Sequence, residues 1–199
     1  MDIRERIIKL LDVNQVSSLS YIYLKNSLTV SNYICGQSYP EIDSCGDEID
    51  IWFLGCIESL FYKPNHYRLV LVGEQGIGKT QFFRSLLPDE LKVFYSDSYE
   101  DIYRLFINCE DEFYLNVSSK KKLLNDGFKI TDYPYFTFTE PSCNKRLVNY
   151  CATTNVWKAQ KTRHNIVLNV ESINKELYNS IDKLELWREL FFKFKPKTI

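Results

Sequence analysis

Leu69-Val70-Leu71-Val72-Gly73-Glu74-Gln75-Gly76-Ile77-Gly78-Lys79-Thr80 is the stretch that decides the fold. Its first four residues are an unbroken aliphatic run, which predicts a strand buried on both faces of a parallel sheet. Gly73 to Thr80 then fit G-x-x-x-x-G-K-[ST], the spacing of a loop whose backbone N–H groups wrap phosphate. Three of the chain's seven glycines fall inside these eight residues, where the backbone must turn sharply and approach a ligand closely. Gln81 to Leu87 follow with Phe82, Phe83, Leu86 and Leu87, a predicted helix that Pro88 stops. A glycine-rich turn carrying a solvated lysine would not explain why a buried strand precedes the loop and a helix follows it.

The chemistry expected of this P-loop is nucleotide binding. Gly73, Gln75, Gly76, Ile77, Gly78, Lys79, Thr80 and Gln81 are the expected contacts. The Lys79 ammonium suits the β and γ phosphates, and the Thr80 hydroxyl suits Mg²⁺, so the expected ligand is ATP with Mg²⁺. Such a site needs an acidic residue at the end of another buried strand. Leu105-Phe106-Ile107 leading into Asn108-Cys109-Glu110-Asp111-Glu112 fits best, with Asp111 as metal partner and Glu112 as base for water. The interruption by Asn108 and Cys109 leaves Glu110-Asp111 as the alternative register, and an exposed acidic turn as the bland one.

Outward from the loop, short β-branched or aromatic segments predict strands at Leu91 to Tyr95, Tyr103 to Asn108, Leu147 to Ala152 and Ile166 to Val170. Phe128 to Thr139 alternates aromatic and polar residues and reads as a hairpin. Helices are predicted at residues 2 to 12, around Val16 to Lys25, at Ile49 to Tyr62 and from Lys175 to Phe194, with turns between Leu28 and Asp47. The expected class is α/β: a wound, mostly parallel sheet with N-terminal helices over 1–65, a nucleotide-binding core over 66–170 and a C-terminal helix over 171–199.

Composition narrows the partners. The formal net charge of −1 provides no global field toward nucleic acid or anionic lipid, so such binding needs a local patch. Charges in Asp2, Arg4, Glu5 and Arg6 occupy the place of a signal peptide's apolar stretch, and no apolar run is long enough to span a bilayer. A cytoplasmic protein without membrane contact is expected. The six cysteines stand singly and only His66 and His164 could assist them, which disfavours structural zinc and predicts reduced thiols packed as small hydrophobes.

With these elements placed, Asp50 to Val170 resembles the ATPase domain of the virulence-associated protein E family, allied to superfamily 3 helicases and poxvirus-type primase-helicases. The resemblance rests on Trp52-Phe53, on Gly73 to Thr80 with Phe82-Phe83-Arg84 and Leu87-Pro88, and on Asn108 to Phe113. It continues through Tyr133-Pro134-Tyr135, Arg146, Ala152-Thr153-Thr154-Asn155 and Arg163. It implies an AAA+-like core in which Asn155 is similar to the polar sensor of the γ phosphate or lytic water. It also implies that Arg163 acts across a subunit interface, hence a homo-oligomer. An ordinary strand-end turn is the simpler reading of Thr153-Thr154-Asn155.

Arg163-His164 stands where the family shows two arginines, Thr131-Asp132 stands where a basic residue precedes the hairpin, and the segment Ser118 to Asp126 is short. These departures bear against fast hydrolysis and tight DNA contact and leave nucleotide binding untouched. About 65 residues precede the first core strand, so a stand-alone or shortened ATPase module is expected.

The leading expectation is a helicase-type ATPase of a mobile element or phage, with Tyr133, Tyr135, Phe136 and Phe138 stacking single-stranded DNA near Lys120, Lys121, Lys122, Lys129 and Lys145. Aromatics packed on the sheet, with solvated lysines, explain the same residues equally well. The alternative function is a nucleotide-dependent switch or assembly protein with weak or no hydrolysis. A small kinase lacks an arginine-rich lid among the eight arginines, and a GTPase lacks N-K-x-D.

Overall fold

The computed structural model describes residues 3–16, 19–33, 48–61, 63, 65, 67–96, 129–132, 148–155 and 165–197. Its centre is the strand of the opening run, β2 (Arg68–Val72). Side chains alternate across a strand, so Leu69 and Leu71 face one side and Val70 and Val72 the other, and all four are buried. That two-sided burial is what an unbroken aliphatic run is for.

The other strands are β1 (Leu28–Tyr33), β3 (Tyr95–Ser96), β4 (Lys129–Asp132), β5 (Val148–Thr154) and β6 (Asn165–Ile173). They form a six-stranded sheet in the order β1-β6-β2-β5-β4-β3. β2 lies between β5 and β6 and is parallel to both, with Leu71 opposite Thr153 on one side and Leu168 on the other. β4 is parallel to β5 and to β3. Among the described strands only β1 runs antiparallel, along the edge of β6. The molecule is therefore a mixed α/β protein with a largely parallel sheet.

Among the described residues six helices accompany the sheet: α1 (Ile3–Leu11), α2 (Ser20–Ser27), α3 (Glu48–Glu58), α4 (Lys79–Arg84), α5 (Lys175–Ser180) and α6 (Lys183–Phe194). Leu69, Leu71, Cys151, Ile166, Leu168 and Val170 turn toward a single apolar cluster that these helices complete. Aromatic rings knit it together. Trp52 of α3 meets Phe53 and Phe83 edge-on, with centroids 5.0 and 6.4 Å apart, and Phe53 meets Trp187 of α6 at 5.9 Å. The Trp187 indole N–H, which needs a partner once buried, donates to the Leu86 carbonyl at 2.9 Å. No helix among the described residues is long and apolar enough to cross a membrane.

Several local expectations are corrected. Leu28 to Tyr33 is the edge strand β1 rather than turn, because pairing with β6 supplies its backbone partners. Leu91 to Phe94 belongs to a 3₁₀ segment, Asp89–Phe94, in which the Leu91 N–H donates to the Pro88 carbonyl at 2.9 Å, leaving only Tyr95 and Ser96 as strand. The C-terminal helix is two helices, since the Asp182 carboxylate accepts from the Leu184 and Glu185 N–H groups and so starts α6 afresh. Lys129 to Asp132, at the start of the segment expected to form a hairpin, is an inner strand parallel to a neighbour on each side. The aromatics from Tyr133 to Phe138, the predicted strand at Tyr103 to Asn108 and the lysines 120, 121, 122 and 145 lie outside the described residues.

Candidate functional site

Gly73 leaves β2 with no room for a side chain. A Cβ there would stand 2.3 Å from the Val170 carbonyl oxygen of β6 and 2.8 Å from the Ile77 Cδ1. The loop thus folds down against the sheet, with Ile77 packed on the core as its inner anchor. Gly78 then takes φ +103°, in the left-handed region where only glycine is unstrained, and the chain enters α4 directly at Lys79. The glycine spacing in the sequence is accounted for by one close approach, at Gly73, and two left-handed positions, Gly76 at φ +91° and Gly78 at φ +103°.

The reversal at Gly78 carries Lys79 back over its own loop. Its ammonium donates to the carbonyls of Gly73 at 2.8 Å and Glu74 at 2.6 Å, and to the Asn155 Oδ1 at 3.3 Å. Only 6% of the residue is exposed, which is unusual for lysine. Loss of water around the charged form lowers its pKa from the ordinary 10.5. A cation held in this way gains from any anion that reaches it.

Thr80, the next residue, places its hydroxyl 3.3 Å from that of Thr153. Thr153 and Asn155 share a face of β5 and its continuation with Cys151, the face turned toward α4. Asn155 meets Lys79 and Thr153 meets Thr80, so two consecutive residues of the loop each have a polar partner from the neighbouring strand. Gln75, Gly76, Gly78, Lys79, Thr80, Gln81, Thr153 and Asn155 line a cavity of about 250 Å³ beyond the carboxyl ends of β2 and β5. In a parallel sheet that is the usual position of a ligand crevice.

Of the residues singled out in the sequence, Gln75, Gly76, Gly78, Lys79, Thr80, Gln81 and Asn155 come together at this cavity, while Gly73 and Ile77 hold the loop beneath it. Asp111, Glu112 and Arg163 lie outside the described residues. Thr153 is the addition: it is the residue two before Asn155, and a period of two along a strand is the signal that would have found it. No cluster of three His, Cys, Asp or Glu side chains suited to a metal occurs among the described residues; the side-chain oxygens at this cavity include the Thr80 and Thr153 hydroxyls and the Asn155 Oδ1.

A larger cavity of about 420 Å³ lies at the far end of α4, lined by residues that include Pro88, Asp89, Lys92, Asp182 and Lys183. None of the residues singled out for chemistry reaches it. Of these two cavities, the smaller joins a desolvated cation, two hydroxyls and a glycine loop.

No protein-family model matches the chain, and no curated protein matches it either.

Proposed function

We propose that this chain binds ATP with Mg²⁺ at the Gly73–Thr80 loop and is a P-loop ATPase of the helicase type. The observation that carries the reading is the convergence of Lys79, Thr80, Thr153 and Asn155 on one cavity beside a glycine loop at the end of an interior parallel strand. Backbone N–H groups of such a loop suit the oxygens of a triphosphate, and Lys79 exchanges its carbonyl partners for phosphate, a stronger, charge-assisted bond. Thr80 and Thr153 would hold Mg²⁺, with Asp111 as the expected carboxylate. When bound, the ion would neutralise charge on the phosphates. Asn155, tied to Lys79, would orient water at the γ phosphate, with Glu112 as base and Arg163 supplied by a second copy of the chain.

The helicase part of the proposal, single-stranded DNA as partner in replication of a mobile element, and the AAA+-like assignment draw on the resemblance to the virulence-associated protein E family. The Arg163-His164 departure favours a second reading, a switch that binds ATP and assembles without turnover.

Calorimetric titration of the full chain with ATP and Mg²⁺ tests the core of the proposal. Saturable binding is expected for the wild-type chain, and Lys79→Ala should weaken it by at least about 100-fold, the loss of a desolvated charge pair. A wild-type chain that gives no heat and no nucleotide-dependent stabilisation would remove the proposal. Turnover that vanishes with Lys79→Ala selects the ATPase over the switch.

A further inference from the structure

Lys175 opens α5, more than ninety residues after the loop, yet its stem lies across Gly78. Its Cε is 3.3 Å from the point where a Cβ at Gly78 would stand. Any residue larger than glycine at 78 would therefore press on Lys175 as well as strain the backbone. The ammonium lies one further bond away, about 1.5 Å, and Gly78, the residue its stem crosses, lines the cavity.

Three contacts fix the base of this lysine. The Asn174 N–H donates to the Ser27 carbonyl at 2.8 Å, and the Asn174 side chain accepts from the Leu177 N–H at 3.0 Å, capping α5. One turn on, the Tyr178 hydroxyl donates to the Phe82 carbonyl of α4 at 2.6 Å, and the two rings approach to 4.8 Å. Tyr178 is almost fully buried, so α5 is pinned to the helix that begins with Lys79 and Thr80. The tip of Lys175, by contrast, is exposed, and no hydrogen bond or ion pair engages it among the described residues. A fixed base and an exposed, unengaged charge whose stem lies against a residue of the cavity wall leave this cation able to meet an anion bound there.

Resting on the triphosphate reading of the Gly73–Thr80 loop, we infer that Lys175 is a second cationic contact to the phosphate tail, delivered by the C-terminal part of the chain. Lys79 holds the tail from inside the loop, and Lys175 closes over it from the rim by rotating its side chain. The ligand feature it recognises is phosphate charge, not the base.

The test measures the affinity of the full chain for ATP with Mg²⁺ and for inorganic tripolyphosphate, in wild type, Lys175→Met, Lys175→Ala and Lys175→Arg. Loss of one charge-assisted contact weakens both ligands about tenfold in the Met and Ala variants, and Arg restores affinity to within a few-fold. Unchanged thermal midpoints without ligand are expected, because the charged tip is exposed. Wild-type affinity in Lys175→Met, which keeps the stem, would show that only packing on Gly78 matters and would overturn the inference while leaving the loop reading intact. A loss confined to ATP, with tripolyphosphate unaffected, would overturn it too, since the contact would then be to the nucleoside. Binding of neither ligand by the wild-type chain would sink both readings together.

Discussion

The two ends of β5 carry similar polar residues on the same face and put them to opposite uses. At the entry end, Asn149 is fully buried. Its Nδ2 donates to the Ser59 hydroxyl at 3.1 Å, and its Oδ1 accepts from the Asn65 Nδ2 at 2.9 Å. Asn65 also donates to the Trp52 carbonyl at 3.2 Å and accepts from the Tyr67 N–H at 3.1 Å, and Ser59 donates to the Cys56 carbonyl at 2.7 Å. This cluster latches α3 and the segment before β2 to the sheet, in an interior position that is closed off from the surface. At the exit end, Asn155 is exposed, makes one 3.3 Å contact with Lys79 and borders a cavity. The difference teaches that a polar side chain becomes a site through unspent bonding capacity next to space, not through its residue type.

If the entry end is purely structural, Asn149→Leu should lower stability by about 2 to 3 kcal/mol, the cost of leaving the Asn65 amide and Ser59 hydroxyl short of partners. Chemical denaturation measures it, and nucleotide affinity of the folded fraction should not change. A selective loss of affinity would erase the contrast. The exit end should answer the other way. Asn155→Ala is expected to change stability by less than about 0.5 kcal/mol, as surface substitutions do, and to reduce ATP turnover or, for a switch, nucleotide-driven assembly. An unfolded Asn155→Ala chain in circular dichroism would show that this end, too, is a latch.

The smallest effect is a matter of pH. Burial lowers the Lys79 pKa from 10.5 in the folded chain, so the unfolded chain holds that proton more firmly. Between the lowered and the ordinary value the unfolded state carries more protons, and the Lys79 contribution to stability should rise slightly with pH. Phosphate affinity should move oppositely, declining on the alkaline side before 10.5 is reached, because the neutral amine offers the ligand no charge. Titrations at successive pH values check the sign. An affinity that stays level up to the ordinary lysine range would mean that Lys79 is not desolvated.

Asp50 shows how the same logic operates in the helical layer. Its carboxylate is buried in α3, accepts from the Tyr21 hydroxyl of α2 and pairs with Lys193 of α6 at 2.5 Å. Like Asn149 it is spent on holding elements together, and nothing in the local sequence distinguishes it from an acid available for chemistry.

What the residues determine by themselves is what lies close along the chain. The aliphatic run makes an interior strand, Gly73 and Gly78 allow a close approach and a reversed backbone, and Lys79 and Thr80 follow at fixed spacing, because each depends on neighbours within a turn or two. Tertiary structure alone decides the phase of β5, since a one-residue slip would turn Asn149, Thr153 and Asn155 to the opposite face and empty both ends of their partners. It also decides that Leu28 to Tyr33 closes the sheet edge and that Lys175 reaches Gly78. These outcomes join segments far apart in the chain, and only the packing of helices on the sheet sets which of them meet.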